Sequence, residues 1–406
     1  MTLAKQTLPD LAIFGGPPAF DEVLHVGRPN IGDRERLLAR IGDMLDRRWL
    51  TNRGPFVEEL EAKLATYLGV RHVIAMCSGT VALEIAARAL GLAGEVIVPA
   101  FTFVATAHAL QWQEITPVFC DVDPQTHLLD PARLEAMITP RTSGIVGVHL
   151  WGQPCNVDAL AEIARRRGLR LIYDAAHAFA CSAGERMIGN FGDAEVFSFH
   201  ATKFFNTFEG GAVATNDDDL AQRIRLMQNF GFTGLDTVVY IGVNGKMSEV
   251  SAAMGLTGLE SIDEFVAANR RNYNRYAAAL ANLPGVRMLR YDGQARQNYQ
   301  YIVVEIDEAV TGLSRDELVQ VLHAENVRAR RYFAPGVHRM EPYRSYFPHA
   351  GLLLPVTERL AGQVLVLPTG TAVSPEDVDC ISQIVAFAVA NGAAIRRELA
   401  RAGDDA

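Results

Sequence analysis

At 406 residues the chain exceeds the size of an ordinary single core, so one large domain and a smaller one are expected. Hydrophobic residues at 49% and charged residues at 21% are those of a globular protein able to bury a sizeable core. A formal net charge of -9 and a pI near 5.6 exclude broad nucleic-acid binding, which needs clustered positive charge to neutralise phosphates.

Residues 1 to 50 read as an N-terminal arm, punctuated by Gly15, Gly16, Pro17 and Pro18 and followed by a helical stretch from Asp33 to Arg48. Met1 to Asp10 hold one lysine and no apolar stretch, and no run of 18 apolar residues occurs, so no membrane segment and a cytoplasmic protein are expected. From Arg53 onward, short apolar runs at 72 to 76, 95 to 98, 117 to 120, 144 to 149, 170 to 173, 195 to 199 and 211 to 215 alternate with helical segments such as 80 to 90 and 157 to 167. That alternation predicts an α/β domain over residues 51 to 265, a mostly parallel sheet with helices on both faces. A helical stretch near 247 to 282 leads into a small α+β domain, residues 266 to 406. It holds strand-like runs near 286 to 290 and 299 to 306, helices at 314 to 325 and 375 to 400, and a tail from Ala402 expected to fray. Cys77, Cys120, Cys155, Cys181 and Cys380 show no C-x-x-C pair or zinc-like spacing, so reduced, mostly buried thiols and no metal site are expected.

Three strand ends carry chemistry. Met76 and Cys77 close a strand, and Ser78, Gly79 and Thr80 open a helix whose free N–H groups could face a phosphate; taken alone, this is a simple helix cap. Leu171, Ile172 and Tyr173 lead to Asp174 and then His177, which singly are a cap and a structural histidine. The run from Glu195 to Phe199 leads to Lys203, flanked by Phe197, Phe199, Phe204, Phe205 and Phe208. Such a lysine is poorly solvated, sheds its proton more readily and becomes a nucleophile toward carbonyls. Gly210 and Gly211 then let backbone approach a ligand. There is no G-x-G-x-x-G and no Walker motif. A phosphate cradle, a strand-end acid and a later strand-end lysine together meet the needs of pyridoxal 5'-phosphate: a phosphate site, an anion for its pyridine nitrogen and a lysine for its aldehyde.

In these residues the sequence resembles the sugar aminotransferases of the DegT/DnrJ/EryC1/StrS family, fold-type I pyridoxal-phosphate enzymes, from about Pro29 to Ile384 and most specifically over Ser198 to Thr215. The resemblance implies that Lys203 of S-F-H-x-T-K holds the cofactor and serves as catalytic base, and that Ser198, Gly79 and Thr80 contact its phosphate. It implies that Asp174 pairs with the pyridine nitrogen and that Phe103 of P-A-F-T-F stacks on the ring. His177 stands where many relatives have a glutamine near the phenolic oxygen, and Phe208 where relatives often have a glycine before E-G-G and Glu209. Asn229, in Asn-Phe-Gly for the relatives' N-H-G, is expected to reach the phosphate in a partner subunit, which implies a homodimer with shared active sites.

D-A-A-H-A-F, S-F-H-A-T-K-F-F and R-R-Y-F look like the subgroup forming 4-amino-4,6-dideoxyglucose nucleotides. The implied reaction moves an amino group from L-glutamate to a nucleotide-linked 4-keto-6-deoxysugar carried on thymidine diphosphate. Lys246, Arg330, Arg331 and His338 are candidates for a basic rim that meets its diphosphate. The alternatives are amination of a 3-keto sugar, a guanosine or uridine carrier, a sugar dehydratase, or a non-catalytic regulator. Dehydratases of the family carry histidine where this chain has Lys203.

Overall fold

The structure is a computed structural model that describes residues 5–404. Each of the seven apolar runs forms a strand of one sheet: β1 His72–Met76, β2 Glu95–Pro99, β3 Thr116–Cys120, β4 Thr142–Val148, β5 Arg170–Asp174, β6 Ala194–Ser198 and β7 Gly211–Thr215. The spatial order is β1-β7-β6-β5-β4-β2-β3. All neighbours run parallel except β7, which is antiparallel to both β1 and β6, with Gly211 opposite Met76 and Ser198. The segment between β6 and β7 contains turns and no helix, so the chain doubles back where a parallel strand would need a crossover. Sequence periodicity does not reveal that reversal.

Side chains alternate across the pleat, and both faces are covered. Ile74, Met76, Val96, Val98, Val146, Ile172, Val196 and Val213 pack on one face with the helix α3 Gly79–Ala89. Val73, Ala75, Phe197, Phe199, Ala212 and Ala214 pack on the other with α2 Pro55–Leu68 and α4 Glu249–Glu260. The expected arm helix is α1 Arg34–Arg47, capped by the Asp33 carboxylate on the Arg36 amide.

Two long helices of the sequence reading are each broken. The 247 to 282 stretch is α4 and α5 Ile262–Leu280, interrupted at Ser261. The last helix is Pro375–Ala390 followed by Gly392–Asp404, bent by 81° at Asn391. An asparagine followed by glycine gives up helical propensity where the apolar face must turn. The terminal helix continues into the segment expected to fray; residues 405 and 406, like 1–4, lie outside the described residues. No single described helix is long and apolar enough to cross a membrane.

The small domain holds a three-stranded antiparallel sheet of β8 Val286–Met288, β9 Ile302–Ile306 and β10 Val364–Leu367. The third strand is absent from the sequence reading because a four-residue apolar run carries no period of its own. Leu11 and Leu24 of the arm are buried in this domain's core, and Leu24 pairs with Val327. The first part of the arm is therefore structurally part of the second core, while α1 packs Leu37 and Met44 into the large domain.

The start of α2 is fixed from a distance. Glu249, buried at the start of α4, accepts from the amides of Phe56 and Val57, both at 2.9 Å, and so supplies the partners that the first turn lacks. A Cβ on Gly54 would lie 2.5 Å from that carboxyl carbon, so glycine is needed there. Glu249→Ala leaves two buried donors unpaired, and a loss of roughly 1–3 kcal/mol is expected in urea unfolding. A loss near zero would show that water replaces the carboxylate.

Candidate functional site

The carboxyl ends of β1, β2, β5 and β6 meet the small domain around a cavity of about 430 Å³, the edge where open α/β sheets receive ligands. Ser78, Gly79, Thr80, Phe103, Asp174, His177, Ser198 and Lys203 all line it. Residues 125 positions apart in sequence become neighbours because their strands end at one edge.

At the end of β1, Ser78 caps α3 by accepting from the Val81 amide at 3.2 Å. The helix start is pressed against β6 and β7. A Cβ on Gly79 would lie 2.9 Å from Cβ of Ser198, and one on Gly211 would lie 2.6 Å from the Gly79 nitrogen. Glycine at both positions lets the first turn of α3 stand beside Ser198, and its free amides give this corner a positive partial charge.

Asp174 ends β5 and is 6% exposed. Its carboxylate accepts from the Thr106 hydroxyl at 2.8 Å and the Ala176 amide at 3.1 Å. Burial pushes this carboxyl above its ordinary value, and the two donors and the Lys203 charge pull it back. Thr106 is itself 3.1 Å from the Thr102 hydroxyl. The sequence reading passed over both threonines; their i, i+4 spacing beside the P-A-F-T-F run was the available signal.

His177 is buried, and its Nδ1 accepts the Trp151 amide at 3.3 Å. The ring proton therefore sits on Nε2. Its ring centre is 4.3 Å from that of Tyr301 and 5.7 Å from that of Trp151. Burial, aided by the nearby lysine charge, holds the imidazole well below its ordinary value, so it stays neutral as a donor.

Lys203 follows β6 in a turn closed by its own amide on the His200 carbonyl at 2.8 Å. Phe197, Phe199, Phe204 and Phe205 are buried and pack with Phe179, anchoring this turn in the core. The Lys203 amine is 3.3 Å from the Tyr301 hydroxyl and, among the described residues, has no carboxylate within ion-pair distance. Burial lowers it to about 8, partly offset by Asp174. Tyr301, whose phenol burial pushes well above its ordinary value, was not singled out in the sequence, because it arrives from the second domain.

The remaining predicted residues separate. Phe103 is exposed on the cavity lip. Arg330 lines the small-domain wall, its guanidinium 5.1 Å from the Tyr332 ring. Arg331 lies off the cavity and pairs with Asp316 at 3.1 Å. His338 is buried against Phe119 and bonds Glu358 at 2.7 Å, so it is a structural histidine and not part of a basic rim. Asn229 and Lys246 bond each other at 2.9 Å in a second, surface cavity of about 290 Å³ with Arg53, Arg225 and Gln228. Among the described residues no group of three or more His, Cys, Asp or Glu could hold a metal.

The model of the DegT/DnrJ/EryC1/StrS aminotransferase family matches residues 32–386. A dTDP-4-amino-4,6-dideoxy-D-glucose transaminase from Shigella dysenteriae is 38% identical over 363 residues, 89% of this chain and 98% of that protein. A GDP-perosamine synthase from Caulobacter vibrioides is 36% identical over 88% of this chain and 95% of its own length. The crystal structure of DesI in the presence of its TDP-sugar product superposes with a TM-score of 0.93 at 52% identity, covering 97% of this chain and 99% of that one. The chain belongs to the DegT/DnrJ/EryC1/StrS aminotransferase family.

Proposed function

We propose that this protein uses pyridoxal 5'-phosphate to move an amino group from L-glutamate to dTDP-4-keto-6-deoxyglucose, giving dTDP-4-amino-4,6-dideoxyglucose. The observation that carries the reading is the Lys203 amine: buried, lowered to about 8, and sharing its cavity with a buried carboxylate and an open helix start. The choice of sugar is supported by the similarity to the Shigella dysenteriae transaminase and to DesI.

The donor set fits the cofactor. Ser78, Gly79, Thr80 and Ser198 would hold the phosphate, where amides cluster and Gly79 sets no side chain against Ser198. Asp174, held by only two protein donors, keeps acceptor capacity for a protonated ring nitrogen. His177 would donate through Nε2 to the phenolic oxygen, Phe103 would cover a ring face and Lys203 would join the aldehyde. When bound, this group carries the amino group between substrates and acts as an electron sink.

The protein's own groups do the remainder. Lys203 Nζ, neutral in most molecules above about pH 8, can take a proton from the donor's α-carbon and return it elsewhere. Tyr301 Oη holds that nitrogen in place. The surrounding aromatic rings of Trp151, Tyr332 and Phe333 limit water. Arg330 is suited to the diphosphate of the sugar nucleotide.

The working unit in this reading is a homodimer. Asn229 and Lys246 stand apart from the Lys203 cavity, close in sequence to the exposed apolar residues Phe230, Leu235, Val238, Val239 and Ile241. A second copy covering that surface would bring Asn229 toward its own phosphate site. The setting in this reading is cytoplasmic, in keeping with Cys77, Cys120, Cys155 and Cys181, which are thiols outside any disulfide, the state a reducing compartment maintains.

Lys203→Ala is expected to keep the circular dichroism of the parent, to lose covalent capture of pyridoxal phosphate and to lower turnover by about 10³-fold or more. In the parent apo-protein, capture should rise with pH and level off above about 8, because protonated amine is not a nucleophile and burial has moved its loss of proton there. A rise continuing to pH 10 would mark an ordinary exposed lysine. Asp174→Asn should retain the cofactor but slow both half-reactions by about 10²-fold, since a neutral amide no longer favours a protonated ring nitrogen; unchanged rates in stopped-flow absorbance would reduce Asp174 to a cap. For the acceptor, protein carrying the aminated cofactor should be discharged by the 4-keto thymidine-diphosphate sugar. Discharge by a 3-keto sugar alone would overturn that choice.

A further inference from the structure

Beside Lys203 the cavity carries a pair of side chains to which the reaction above gives no task. His200 and Glu209 both line it, three residues before and six after the lysine. The His200 Nδ1 accepts the Thr202 amide at 3.2 Å and lies 2.8 Å from the Thr202 hydroxyl. Its proton is therefore on Nε2, which stands 3.4 Å from Oε1 of Glu209. The imidazole N–H thus stands beside one carboxylate oxygen without a hydrogen bond, and the carboxylate remains free to accept.

Stability does not account for this arrangement. The two side chains are 48% and 67% exposed, and an exposed pair at this separation contributes about 0–1 kcal/mol at most. Against that, the residue preceding Glu209 is strained. Phe208 adopts φ +63° and is 43% exposed, a conformation that costs a non-glycine residue roughly 1 kcal/mol. A glycine would adopt it freely. The chain keeps the same turn with a phenylalanine, and Glu209 still faces the cavity.

The two substrates differ in what a carboxylate there could offer them. L-glutamate brings two carboxylates, which have no hydrogen to donate to Glu209. The sugar nucleotide brings a dianionic diphosphate, suited to Arg330, and a neutral ring bearing hydroxyl donors. A carboxylate with an imidazole beside it and its lone pairs unused is an acceptor for those hydroxyls. We infer that Glu209, positioned by His200, is a specificity-determining residue whose carboxylate accepts a hydrogen bond from the sugar hydroxyl next to the reacting keto carbon, and so acts in the sugar half-reaction alone. The inference rests on the nucleotide-sugar reading of the acceptor.

The test separates the two half-reactions in the intact cofactor-loaded protein. Glu209→Gln should leave the rate with L-glutamate within about twofold, and should lower kcat/KM for the keto sugar by about 10- to 100-fold, the loss of one charge-assisted hydrogen bond. His200→Gln should give a smaller loss in the same half-reaction. An analogue of the sugar nucleotide lacking that hydroxyl should react as slowly with the parent as the full sugar does with Glu209→Gln, and the variant should not distinguish the two sugars. Equal losses in both half-reactions, or a variant that still distinguishes them as the parent does, would overturn the inference while leaving the acceptor reading intact. A parent that takes the amino group from L-glutamate and passes it to no nucleotide keto sugar would overturn both.

Discussion

The site depends on taking one amine and one carboxyl out of water inside a single cavity. Each pays a desolvation cost, visible in the lowered Lys203 and the raised Asp174, and each reduces the cost of the other through its charge. Had they been in contact, the pair would have quenched itself into a buried salt bridge, with the amine held protonated. Instead Asp174 is satisfied by Thr106 and the Ala176 amide, and Lys203 by a phenol. The amine thereby stays reactive near neutral pH.

That separation is a product of sheet order. Asp174 ends β5 and Lys203 lies beyond the end of β6, its neighbour. The reversal of β7 brings Gly211 against the start of α3, so that Gly79, Gly211 and Ser198 share one corner. Backbone N–H groups are concentrated there without side chains between them, which suits a phosphate.

The second domain and the arm then close the cavity. Asn30 of the arm donates to the Phe204 carbonyl and accepts from Thr371, and its own carbonyl accepts from Asn206. One buried asparagine thus ties the lysine turn to the small domain. Asn298 does the same for the His177 segment, donating to the carbonyls of His177 and Phe179 at 2.9 and 3.0 Å. With Tyr301 three residues on, the approach to β9 supplies both the anchor and the partner of the lysine. Buried bonds of this kind are expensive to leave unmade, so the relative placement of the two domains at the site is strongly specified.

Much of this was legible in the chain. All seven strands of the large sheet stand where their apolar runs lie, because a strand buried on both faces must be apolar throughout. The helix start at Ser78, Asp174 and Lys203 announce themselves at strand ends, since an open sheet offers its ligands one edge. What the chain could not announce is anything made by contacts between distant segments. Trp151 and Tyr301 carry no local pattern, and His338 and Arg331 differ from Arg330 only in where the fold turns them. Local sequence fixes period and polarity, which choose strands and helices. Which polar groups find each other, and so which amine loses its water and which histidine merely fills a core, was decided by packing the second domain against the first.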